Sequence, residues 1–80
     1  MSTSAIHLDP LAVDVTLSDH SLHLRLADGR EISAPLAWFP RLLDATPAQR
    51  ENWRLIGNGI GVHWPELDED VATETLLAVR

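Results

Sequence analysis

Eighty residues suffice for one small domain and leave few side chains to spare from its core for chemistry. Twelve Asp and Glu stand against six Arg and no Lys, a net charge of −6 that disfavours direct contact with DNA or RNA, which needs a basic face. The absence of Cys excludes disulfides, thiolate metal centres and a Cys nucleophile, and no apolar run approaches the ~20 residues of a membrane span. The opening stretch Met1–Val13 lacks the basic and apolar regions of a secretory signal, so a soluble cytoplasmic protein is expected.

Residues 1–9 read as a flexible N-terminal segment and 10–80 as a single α+β domain. Val13, Val15 and Leu17 alternate with polar residues, as do Leu22, Leu24 and Leu26, and then Ile32 and Ala34. Period two predicts three half-buried strands. A two-residue turn at Asp19-His20 sets Leu17 opposite Leu22 and Val15 opposite Leu24, so the apolar faces agree. A three-residue loop Ala27-Asp28-Gly29, with Gly29 left-handed, sets Leu24 opposite Ile32 and Leu22 opposite Ala34. These registers align Asp14, Arg25 and Glu31 in a row on the other face, with Thr16, His23 and Ser33 beside it. The row reads as a solvated sheet face of exposed ion pairs and not as a catalytic constellation.

A short helix is expected near residues 37–44, with Pro40 tolerated only in its first turn. Thr46 then reads as an N-cap, with Pro47 at the first helical position and Gln49 closing a capping box. Asn58-Gly59 is the strongest turn signal in the chain and predicts a second hairpin pairing Leu55 with Val62 and Trp53 with Trp64. Asp70 is expected to cap a final helix over 71–79, on which Ala72, Leu76 and Val79 share a side. On that reading Asp68 and Glu69 lie beside the helix's positive end. The expected fold is a small antiparallel sheet, built from a three-stranded meander and a second hairpin, packed with two or three short helices.

Three sets of residues invite a chemical reading. His63, Glu66 and Asp68 carry metal-ligating atoms, but His7, His20 and His23 supply no second imidazole at a defined spacing, and an acidic run leading into a helix accounts for them. The Gly57–Gly61 stretch lacks the following helix and Lys of a phosphate cradle, and no nucleophile elbow is present. No catalysis, cofactor or metal is therefore expected. The aromatic residues form the third set. Trp53 and Trp64 are assigned to the core. Adjacent large side chains on a short helix do not easily both point inward, which marks Trp38 or Phe39 as a candidate for a protein interface, with Arg41 alongside. The acids Glu66, Asp68, Glu69 and Asp70 complete that candidate surface.

The steps Trp38-Phe39-Pro40-Arg41-Leu42, Arg50-Glu51-Asn52-Trp53 and His63-Trp64-Pro65-Glu66-Leu67-Asp68-Glu69-Asp70 together resemble the bacterial Domain of Unknown Function 2442 family, over roughly residues 11–78. The resemblance implies a small α+β domain without established enzymatic activity. Members stand alone or are joined to a helix-turn-helix domain, and a stand-alone member is expected here. Stand-alone members are often encoded beside another small protein. The functional expectation is thus a protein-interaction module, the acidic antitoxin-like or regulatory partner of a small basic protein. Homo-oligomers are compatible with it. An acidic inhibitor or decoy of a nucleic-acid enzyme, as anti-CRISPR proteins are, is the alternative, and a transcription-regulator accessory domain a further one.

Overall fold

Leucine at every second position of 21–26 builds the central strand of one sheet and sends three side chains into the core. The computed structural model describes residues 8–78. The first sheet holds β1 (Ala12–Leu17), β2 (Ser21–Leu26) and β3 (Glu31–Pro35), antiparallel in the order β1-β2-β3. Leu22, Leu24 and Leu26 are buried, each worth roughly 1.5–3 kcal/mol of apolar transfer. The expected registers hold: Leu17 faces Leu22, Val15 faces Leu24, Leu24 faces Ile32 and Leu22 faces Ala34. Gly29 has φ +95° in the loop between β2 and β3, closed where Leu26 N–H donates to Arg30 O at 2.8 Å. The expected loose segment falls mostly on residues 1–7, outside the described residues. Asp9 is tied down, its N–H donating to Asp28 Oδ2 at 2.9 Å.

The strict alternation expected for Val13, Val15 and Leu17 breaks at its first member. The register shifts between Ala12 and Asp14, so that Ala12 is buried and Val13 is exposed. This bulge has a cause elsewhere in the chain: it turns the Ala12 N–H to Gly59 O at 2.8 Å.

The helix expected over 37–44 is two pieces, a 3₁₀ turn Leu36–Trp38 and α1 (Pro40–Leu43). Pro40 disfavours helical geometry at the residue before it, and Phe39 accordingly sits at φ −129°, ψ 80°. Next, α2 (Pro47–Glu51) begins as expected, with Thr46 and Gln49 forming a reciprocal capping box. Arg50 returns to α1, donating from Nε to Leu42 O and from Nη2 to Leu43 O, both at 2.9 Å. Those are C-terminal carbonyls of a helix, the groups that lack intrahelical partners.

The second sheet departs from expectation. It holds β4 (Arg54–Ile56), β5 (Gly61–Trp64) and a third strand, β6 (Glu69–Ala72), in the order β4-β5-β6. Leu55 faces Val62 as expected, but Trp53 lies just ahead of β4, half-buried, and Trp64 faces Glu69. The tight turn comes one residue early: Gly57 and Asn58 both have positive φ, and Gly59 N–H donates to Ile56 O at 3.0 Å. Asp70 caps no helix. It lies on β6 opposite His63, and α3 begins only at Thr73 and runs Thr73–Ala78. The ladder overrides the acid-then-apolar pattern because Val71 buries itself opposite Val62. Leu76 is buried on α3 as expected, Ala72 is exposed on β6, and Val79 lies outside the described residues.

Both sheets contribute to one core. Leu22, Leu24 and Leu26 meet Val62, Trp64 and Val71, with Leu36, Leu42 and Leu76 filling the space from the helical segments. The halves are tied by a buried polar point at Gly59, whose carbonyl accepts from Ala12 N–H at 2.8 Å and from Thr73 Oγ1 at 2.9 Å. Thr73 is fully buried, so both of these bonds satisfy groups that water cannot reach. The protein is a small α+β fold of two three-stranded antiparallel meanders and short helices.

Candidate interaction surface

Trp38 and Phe39 are separated by the break before Pro40. Phe39 is half-buried and packs against the core, while Trp38 keeps 51% of its surface exposed at the end of the 3₁₀ turn. Three residues on, Arg41 reaches from α1 to the turn between β5 and β6. Its Nη1 donates to Asp68 O and, at 3.4 Å, to Leu67 O, and stands 4.0 Å from Asp68 Oδ2. Asp68 is held at φ 50°, a left-handed conformation that short polar residues tolerate. Its carboxylate is 96% exposed. Arg41 therefore braces an acidic turn by its backbone and leaves the carboxylate to solvent.

The other acids divide between two places. Glu66 Oε2 accepts from Asn52 Nδ2 at 3.3 Å, joining the same turn to the end of α2. Asp70 lies on β6, where its Oδ1 contacts His63 Nδ1 across the strands. Glu69 is half-buried opposite Trp64. Trp64 is fully buried, and its Nε1–H donates to Arg50 O at 2.9 Å, as a buried indole requires. The structure thus joins Arg41 with Asp68, and sets Glu66 and Asp70 in separate hydrogen bonds. His63 meets Asp70 and neither Glu66 nor Asp68. Among the described residues, no three His, Cys, Asp or Glu side chains gather as metal ligands would.

Two further surfaces stand out. On the first sheet Asp14, Arg25 and Glu31 form the expected row, and Ser33 Oγ lies 2.7 Å from His23 Nδ1 beside it. At the loop before β3, Asp28 accepts from Arg30 Nε at 2.9 Å, and the Arg30 guanidinium together with the Asp9 N–H holds its carboxyl well below the usual carboxylate range. The same pairing raises Arg30. Next to that loop, Leu8, Pro10, Leu11, Ile60 and Leu77, with Arg30 and Glu74, line an open cleft of about 450 Å³. Sequence reading missed this cleft, because its walls come from segments far apart in the chain. It also missed the His63–Asp70 pair, which depends on a third strand in the second sheet.

The chain is therefore a small two-sheet α+β domain that carries an exposed aromatic, Trp38, and an acidic turn braced by Arg41. Residues 5–80 match the family model described as protein of unknown function (DUF2442), and the chain belongs to that family. No curated protein and no solved structure matches it. Among the described residues, no helix is long and apolar enough to cross a membrane.

Proposed function

We propose that this protein is a non-catalytic interaction module whose partner is a small basic protein, as in an antitoxin-like or regulatory pair. The observation that carries the reading is Trp38. A half-exposed indole stands on a turn whose backbone is restricted by Pro35 and Pro40, and aromatic side chains that become buried at an interface dominate its energetics. Asp68 and Glu66 lie on the turn that Arg41 braces, and the net charge of −6 favours a basic partner's approach. The exposed carboxylate of Asp68 belongs to the steering rim, where charge sets encounter rate more than affinity.

The test uses the product of the adjacent gene, purified separately and titrated onto the full chain by calorimetry. Stoichiometric binding that weakens with added salt is expected. Trp38→Ala is expected to weaken it by roughly 30-fold or more, the effect of losing a hot-spot aromatic, while the thermal midpoint stays put. Absence of binding, or equal affinity for the Trp38→Ala variant, would sink the reading. If a nuclease or other nucleic-acid enzyme were inhibited by the chain instead, the decoy reading would replace it.

A further inference from the structure

Of the exposed large hydrophobic residues, Leu8, Ile60 and Leu77 surround one cleft, and Ile56 adjoins it through a second depression that Ile60 also lines. Leu8 is 64% and Ile60 58% exposed, the two highest values among the large hydrophobics of the described residues. Apolar side chains drawn from three separate segments to one open cleft make it a candidate contact surface. Ile60 is no loose loop tip. Its carbonyl accepts from Thr73 N–H at 3.0 Å, and its side chain lies where a Cβ on Gly57 would come within 2.8 Å of it.

Charge on the rim narrows the occupant. The chain is strongly acidic, yet this cleft carries one base and one acid, Arg30 and Glu74. With Arg30 already paired to Asp28 and one acid, Glu74, on the rim, the cleft offers a basic partner no concentrated acidic charge, and the surface lies on other elements than Trp38 and the Arg41-braced turn. One charge of each sign beside an apolar floor is instead self-complementary, the condition for a two-fold contact in which each residue of a pair meets the other's copy. Asp28 engages Nε and Nη2 of Arg30, which leaves Nη1 for a second carboxylate.

We propose that a second copy of this chain closes the cleft about a two-fold axis, packing Leu8, Ile60 and Leu77 against their counterparts and pairing Arg30 with Glu74 in both directions. Sedimentation equilibrium of the full chain from about 1 μM to about 1 mM tests it. The mass is expected to rise with concentration from 8.9 kDa toward twice that value. Ile60→Asp brings unpaired carboxylates into the contact and is expected to weaken association at least about tenfold. Glu74→Arg sets like charges face to face and is expected to weaken it as well, and this variant decides the matter if Ile60→Asp fails to give the wild-type far-UV spectrum. A mass of 8.9 kDa at every concentration would overturn the proposal. So would a dimer whose midpoint is the same in folded Ile60→Asp, or in Glu74→Arg, as in the wild type.

Discussion

Gly59→Ala separates two costs that glycine substitutions usually mix. Gly59 has φ +109°, and a Cβ there would lie 2.2 Å from Ala12 O and 2.7 Å from Ala12 N. Those are backbone atoms, so no side chain can swing away to make room. Positive φ costs an L-residue roughly 1–2 kcal/mol. Driving the strands apart also breaks the Ala12 N–H to Gly59 O bond, and a buried amide left without a partner costs about 1–3 kcal/mol. The expected loss is about 2–5 kcal/mol, a large part of the roughly 4–12 kcal/mol expected for 80 residues. Gly29→Ala supplies the control: φ is +95°, but nothing lies within 4 Å of the added carbon. Its loss should be only about 1 kcal/mol, part of the strain being offset by a less flexible unfolded chain. Urea unfolding followed by tryptophan fluorescence measures both. Equal losses in the two variants would refute the reasoning, because the close approach to Ala12 would then contribute nothing.

Thr73→Val removes the hydroxyl from Gly59 O while keeping the side chain's shape, and a loss of about 1–2 kcal/mol is expected in urea, with Thr73→Ser retaining the bond. Asp28 titrates lower in the folded protein than in the unfolded chain, so its stabilisation is complete above the ordinary aspartate range, near pH ~4, and fades as the pH falls below it. Asp28→Asn should therefore lower the thermal midpoint at neutral pH and flatten its decline in acid; thermal scans between neutral pH and strong acid check this. Arg41→Ala frees the turn between β5 and β6. A stability loss of at most about 1 kcal/mol is expected for so exposed a group, with faster amide hydrogen exchange confined to residues near Leu67 and Asp68.

Much of the first sheet could be read from spacing alone. Leucines at 22, 24 and 26 allow one face to be buried, and a three-residue loop is what keeps Ile32 and Ala34 on it. The Thr46 capping box was equally legible, since it is a local chemical match. What escaped depends on partners distant in the chain. Ala12 and Val13 are both aliphatic, and only the demand of Gly59 for an amide selects which one turns inward. Glu69–Ala72 holds one large apolar residue, too few to display a period, so its acids read as the start of a helix until Val71 is seen opposite Val62. The interaction surface was half legible. Trp38 and Phe39 stood out as a pair, but which one faces water is set by the phase of the 3₁₀ turn ahead of Pro40.

The nearest-neighbour order of both sheets has a kinetic consequence. Every strand pairs with the one before or after it in sequence, so each three-stranded unit assembles through short loop closures. The contacts of Gly59 with Ala12 and Thr73 are different in kind, since one spans most of the chain and joins the two units. Two quickly formed halves that then pack into one core, with the lock at the Gly59 carbonyl closing last, should give a rate set by docking. Substitutions at that lock are therefore expected to act on the speed of unfolding, and those in the early hairpins on the speed of folding.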